Sequence, residues 1–161
     1  MGELFYGELP MKKIPLTRGK FAIVDDEDFD FLIQYKWHAL KIGNVFYAGT
    51  RMYNVRGTRM HYFVFGYPLE GFVIDHINRD GLDNRKSNLR LATISLNMMN
   101  SKLFSTNTSG YRGVRYSKSH HKWVARICSK YYPFQHYYDT QEEAIQAYAI
   151  HAEKLKILQS A

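Results

Sequence analysis

The sequence predicts an α+β protein, and three stretches carry that prediction. Residues 72–100 read as strand, polar loop, strand and short helix. Residues 111–138 hold three strand-like runs separated by turns, and one long helix follows them to about Gln159. Ahead of both, residues 14–33 read as a small hairpin leading into an acidic helix. Strands and helices thus come in short separate groups, as in α+β chains, not in a regular strand–helix alternation.

In the first third, residues 14–17 and 20–24 flank Arg18-Gly19, a turn signal between two strands. Asp26 is expected to cap a helix carrying Phe29, Leu32 and Ile33. The cluster Asp25, Asp26, Glu27 and Asp28 suits the positive end of that helix better than a metal ion. Residues 35–38 open a strand and residues 44–53 form another, with Gly43-Asn44 at the turn. Residues 55–58 read as a further turn, before an apolar run over 60–65 that stops at Gly66-Tyr67-Pro68. His61 in that run is expected to be a packed or backbone-bonded histidine.

The chemistry concentrates after Phe72. Phe72-Val73-Ile74 leads as a strand into Asp75-His76, a Gly-containing polar loop follows, and residues 88–91 form the second strand. Thr93 is placed to cap a helix carrying Asn97 and Asn100. Asp75 and Asn97 offer hard oxygen donors of the kind Mg²⁺ prefers, and two protein ligands leave room for water and phosphate oxygens. His76 alternates to the other strand face from Asp75, so it is free to act as a general base near neutral pH. An amide oxygen suits the task of holding its second ring nitrogen, and Asn88 could supply it.

Asp75-His76, Asn88 twelve residues beyond the histidine, and Asn97 nine further on resemble the HNH (His-Asn-His) nuclease motif. The form with Asn in last place is that of intron- and phage-encoded homing endonucleases. The resemblance implies a ββα-metal hairpin (the His-Me finger), Asp75 and Asn97 as ligands of one divalent ion (Mg²⁺, with Mn²⁺ as the substitute), His76 as base and Asn88 as the residue orienting it. Asn78 and Asn84 read as loop-forming. Segments such as IPLTRGKFAIVDDEDF resemble the N-terminal part of many phage HNH endonucleases, which implies an α+β extension over residues 1–66 ahead of the nuclease motif at 67–101.

A Ser/Thr/Asn-rich linker is expected at residues 102–108, and a second module at 109–161. Its strands are residues 111–117, 122–128 and 132–138. Thr140-Gln141-Glu142-Glu143 forms a capping box for a helix whose apolar stripe is Ala144, Ala147, Tyr148, Ala152 and Leu155. On the middle strand Trp123, Ala125 and Ile127 suit the helix, which leaves Val124, Arg126 and Cys128 for a polyanion. SGYRGVRY, KWVARI and YDTQEEAIQAYAIHAEKL resemble the DNA-binding domain of plant ethylene-response factors (AP2/ERF). The resemblance implies that Arg112, Arg115 and Arg126 approach DNA, with Lys118 and Lys122 beside them, and that Phe134 packs on the DNA backbone. The sequence departs from that family where Cys128 and Tyr132 replace arginines and Gln135-His136 replaces Leu-Gly. His120, His121 and His136 are expected to be exposed or phosphate-facing, and His151 half-buried packing.

Composition bounds these readings. The 161 residues carry 45% hydrophobic and 16% aromatic side chains, a folding composition, and a net charge of +7 that invites a polyanion. Residues 101–161 hold nine Lys/Arg against four Asp/Glu, so most of the excess lies in the last third. The single cysteine, Cys128, excludes an internal disulfide and a thiolate zinc site, and it has no base at nucleophile spacing. No apolar run has membrane-spanning length. The expectation is a cytoplasmic, site-specific endonuclease acting on double-stranded DNA as a monomer or weak dimer, without a small-molecule substrate. The alternative is a non-catalytic, transcription-factor-like DNA binder; an RNA-binding role has less support, since no base-stacking sheet motif is present.

Overall fold

The computed structural model describes residues 10–52, 55–103, 105–130 and 132–160, which group into two compact units, Met1–Ala92 and Thr93–Ala161. The first unit opens with β1 (Met11–Pro15) paired antiparallel to β2 (Phe21–Asp25) across a 3-10 turn in which Arg18 takes φ +63°. Ile14, Ala22 and Val24 point inward from this hairpin, each at most 1% exposed. They meet Leu32 of α1 (Asp26–Leu32), Trp37, Ala48 and Met60 in one core, and the Trp37 indole N–H donates to Leu32 O at 2.7 Å. Removing these seven side chains from water is the main stabilising term, at roughly 1.5–3 kcal/mol for each large apolar one.

The residue capping α1 is Asp25, not Asp26. Asp25 makes no side-chain bond to its own helix. Its Oδ2 accepts instead from Lys86 N at 2.7 Å, and Asp26 pairs with Lys12 at 2.8 Å. The acidic residues do fall in the first turn of α1, where Lys86 Nζ lies between Glu27 (2.6 Å) and Asp28 (3.2 Å).

A three-stranded antiparallel sheet follows: β3 (His38–Ile42), β4 (Val45–Met52) and β5 (Val55–Arg59). The turn expected at 55–58 is therefore a strand. β5 pairs with β4 through a register shift between Thr50 and Arg51, and a shifted register hides alternation from a reading of local pattern. The apolar run at 60–65 is a short helix, α2 (Met60–Phe65), with Met60 and His61 buried. β6 (Phe72–His76) and β7 (Leu89–Thr93) then form a two-stranded sheet.

The second unit begins with α3 (Ile94–Asn100), where the Thr93 hydroxyl caps the helix by accepting from Leu96 N at 3.2 Å. Within this unit Met99 packs with Ile127, Ala152 and Leu155. β8 (Val114–Ser117), β9 (Lys122–Ile127) and β10 (Phe134–Tyr138) make an antiparallel sheet with β9 central. Helix α4 (Gln141–Ser160) lies across it, packing Ala144, Ala147 and Tyr148 on Trp123, Ala125 and Val114. The capping box forms in both directions, Glu143 N to Thr140 Oγ1 and Thr140 N to Glu143 Oε2, each 3.2 Å.

Small residues make this close packing possible. Gly113 has φ +67°, and a Cβ there would lie 2.1 Å from the Tyr148 ring and 2.6 Å from Arg126 O. Gly113→Ala is expected to destabilise the second unit by roughly 2–4 kcal/mol, from overpacking and the left-handed backbone together. Thermal melts of the variant and the parent check it; an unchanged Tm would show that the ring moves aside freely.

Candidate functional site

β6 rises from exposed Phe72 to three buried residues, Ile74, Asp75 and His76, so its acidic and imidazole side chains leave the strand inside protein. The loop over 77–88 is held by its own polar groups. Asp80 N donates to Asn78 Oδ1 (2.8 Å) and Leu82 N to Asp80 Oδ1 (3.0 Å), side-chain turns of the kind Asn and Asp favour. Asp83, 2% exposed, takes two bonds from the Arg85 guanidinium (2.9 and 2.8 Å), one from Arg85 N (3.4 Å) and one from Asn78 Nδ2 (2.9 Å). Burial alone would raise its carboxyl, but the Arg85 bonds outweigh that and hold it below the usual range.

Asn88 closes the loop. Its Nδ2 donates to Asp83 O (2.8 Å) and Asn78 Oδ1 (3.0 Å), and its Oδ1 accepts from Asn78 N (3.0 Å). Its backbone oxygen accepts from Ile77 N at 2.9 Å. Asn88 thus fixes the two residues directly after His76. The amide that reaches the His76 ring belongs to Asn84, whose Oδ1 lies 3.5 Å from Nε2.

The His76 ring is 6% exposed and walled by aromatic edges. His61 stands 5.1 Å away centroid to centroid at 73°, and Tyr47 stands 5.8 Å away at 63°. Burial lowers the His76 pKa, partly offset by the Asn84 bond and the Asp75 charge. His61 is packed, as expected, but its buried Nδ1 has no hydrogen-bond partner among the described residues. Burial, then the nearby His76 and Arg59, lower its pKa to about 3. Asp75 is 5% exposed, and its Oδ2 accepts from Arg90 Nε (2.9 Å) and Nη2 (2.8 Å), a pairing that offsets the cost of burying the charge.

Asp75, His76, Asn84 and Asn88 therefore come together in the first unit. Asn97 is half-buried on α3, in the second unit. Arg90, Asp83 and Tyr47 had no signal in the sequence pattern, because cross-strand and inter-element pairing brings them in. The donor chemistry suits a hard divalent ion, since a buried carboxylate supplies oxygen with negative charge. Among the described residues no group of three His, Cys, Asp or Glu could hold a metal, so water and phosphate oxygens would have to complete any ion's shell.

In the second unit Arg115, Lys118 and Arg126 are exposed. Arg115 and Arg126 stand on the sheet face turned away from α4. Lys122 pairs with Asp139 at 2.7 Å, and Arg112 is half-buried with its guanidinium donating to Ser101 O. Phe134 is turned to α4 and stacks on His151 at 3.6 Å between centroids, so its ring belongs to the sheet–helix packing. His120 and His136 are exposed, and half-buried His151 also bonds the Tyr132 hydroxyl at 2.7 Å. No helix among the described residues is long and apolar enough to cross a membrane.

Known proteins match this sequence. The family model for HNH endonuclease matches residues 61–99, the segment from α2 through β6 and β7 to α3. An uncharacterized HNH endonuclease of Acanthamoeba polyphaga mimivirus is 31% identical over 144 residues, covering 86% of this chain and 72% of its own length. Protein 3.8 of Escherichia phage T7 is 41% identical over 61 residues, 38% of this chain and 50% of its own. No solved structure matches significantly. With a buried Asp-His pair on a two-stranded sheet, and a relative matched over most of both lengths, the chain belongs to the HNH endonuclease family.

Proposed function

We propose that the chain is a homing-type endonuclease that hydrolyses phosphodiester bonds of double-stranded DNA. In this reading His76 is the general base, and Asp75 and Asn97 are the protein ligands of one divalent ion, Mg²⁺ or Mn²⁺. The observation that carries the reading is the state of His76: buried, walled on two sides, bonded at Nε2 and next to a buried carboxylate. Burial favours the neutral ring, which has a lone pair to offer.

His76 takes a proton from water, the water oxygen bonds to phosphorus, and the bond from phosphorus to the 3′ oxygen breaks. The products are a 5′-phosphate and a 3′-hydroxyl once solvent protonates the leaving oxygen. A bound divalent ion would supply charge neutralisation at the phosphate and the leaving oxygen. Asn88 clamps the backbone after His76 and keeps the base from drifting with the loop. Exposed Arg115, Lys118 and Arg126 suit phosphate and base contacts for the C-terminal sheet, as an ethylene-response-factor-like domain would use them. One set of these residues per chain corresponds to nicking by a monomer, or to a double-strand break when two chains cooperate.

The test incubates supercoiled plasmid and host genomic DNA with the parent protein and His76→Ala, in Mg²⁺, Mn²⁺ or EDTA. Metal-dependent nicking is expected, reduced on the order of 10²–10⁴-fold in the variant while DNA binding persists. Binding without cleavage on DNA that contains the bound site would leave a transcription-factor-like protein whose nuclease hairpin is scaffold.

A further inference from the structure

Helix α2 carries Tyr62 beside His61, and the loop after it carries Tyr67. The Tyr62 and Tyr67 rings lie flat on one another, 4.7 Å between centroids and 14° between planes. Tyr62 in turn meets His61 edge-on at 4.4 Å, and His61 meets His76 at 5.1 Å. Four rings therefore run in contact from the proposed base to the surface, where Tyr67 is 72% exposed. At about 3.4 Å per nucleotide, a DNA strand passing His76 reaches Tyr67 within about four nucleotides.

An exposed tyrosine by itself is ordinary. This one is held in place. Gly66 N donates to Tyr62 O at 3.1 Å as α2 ends, and Phe72 N donates to Leu69 O at 3.1 Å as β6 begins. Pro68 between them has a fixed φ. Tyr62 covers one face of the Tyr67 ring, and among the described residues no ring lies against the other. The loop brings no cation to phosphate: over residues 66–71 its one charge is Glu70, and Phe65, Leu69 and Phe72 are exposed apolar neighbours. What it offers DNA is a flat aromatic face, ordered in advance and so cheap in entropy to use.

The next member of such a stack is another flat ring. Nucleobases have that shape, and stacking on an aromatic side chain tolerates any of them because every base has a π-face. In an intact duplex both faces of a base are covered, so the ring has to meet a base that has left the stack. We infer that Tyr67 is a substrate-contacting residue, stacking its free face on a nucleobase displaced from the duplex near the cut phosphate. This rests on the reading of the chain as a nuclease that cuts at His76. The substrate form it favours is DNA with an unpaired or weakly paired base beside the cut, where leaving the stack costs least.

The experiment uses the full chain with Mg²⁺, on a duplex spanning a cut mapped from nicked plasmid. Tyr67→Ala is expected to lower kcat/KM on the order of 10–100-fold, while Tyr67→Phe and Tyr67→Trp, which keep a flat face, stay within about threefold. A series of duplexes then carries a single abasic position at each of about four nucleotides on either side of the cut. At one position the missing base should cost the parent the factor that Tyr67→Ala costs, and cost Tyr67→Ala nothing more. Parent-like cleavage by Tyr67→Ala, or losses that multiply at every position, would overturn the inference. So would a parent that sediments as a dimer without DNA and becomes a monomer in Tyr67→Ala, the mark of a contact between two copies. If Tyr67→Ala does not fold by its thermal melt, Tyr67→Leu replaces it with the same expected loss, since it keeps apolar contact with Tyr62 and has no flat face. Absence of metal-dependent cleavage by the parent, or undiminished cleavage by His76→Ala, would sink the underlying reading. A parent that cuts through His76 without coupling at Tyr67 sinks this inference alone.

Discussion

Acidification is expected to destabilise the first unit through His61 well before its carboxylates titrate. The folded His61 has a pKa of about 3, against 6.5 for the unperturbed side chain. Below about pH 6.5 the unfolded chain binds a proton there that the folded chain refuses, so stability is complete above that pH and falls with acid. At about 1.4 kcal/mol for each pKa unit, the loss amounts to roughly 2 kcal/mol near pH 5 and about 4–5 kcal/mol near pH 3. The cause is burial first: a ring 2% exposed gives up the solvation of a positive charge, and His76 and Arg59 beside it oppose that charge further. His76, also lowered by burial, adds to the trend in the same direction. His61→Leu removes both the titration and the orphaned Nδ1. Urea unfolding of parent and variant between about pH 4 and 7 should give a visibly flatter stability curve for the variant. Parallel curves would show that the folded site accepts the proton at little cost.

Asn88→Leu is expected to be damaging in a different way. The substitution keeps the volume and removes three hydrogen bonds at once: Asp83 O, on a residue 2% exposed, and Asn78 N lose their Asn88 partner, while Asn78 Oδ1 keeps Asp80 N. A buried polar group without a partner costs about 1–3 kcal/mol, so with one such group a loss of about 1–3 kcal/mol is expected, or roughly 0.5–1.5 M in the urea midpoint. Cleavage by the fraction that stays folded should also fall, on the order of 10–100-fold, because the backbone at Ile77 and Asn78 no longer anchors His76. Stability and single-turnover cleavage measured on the same samples separate the two effects. A variant that loses stability but cuts at the parent rate when folded would confine Asn88 to the loop's architecture.

Local pattern carried much of this protein. Asp75-His76 at the end of an apolar run, the Thr93 cap and the Thr140 capping box each appear where short-range chemistry puts them. Periodicity likewise assigned Trp123, Ala125 and Ile127 to the helix side of the C-terminal sheet. These features depend on residues within a few positions of one another, and the sequence by itself determined them. Pairing between distant segments followed no such rule. The strand at 55–59 emerged only through a shifted register with β4. Asp25 left its own helix for Lys86, 61 residues away. The residue at the His76 ring is Asn84, not Asn88, because β2 draws the loop in at Ile23 and turns that one amide toward the imidazole. Phe134 faces α4, since a sheet has to bury one face before it can offer the other. Residue types and spacing thus determined that this chain has a nuclease-like hairpin and a basic sheet. Which amide meets the base, which cation meets Asp75 and which arginines stay exposed were decided by tertiary packing, because hydrogen-bond partners are chosen by proximity in space and not along the chain.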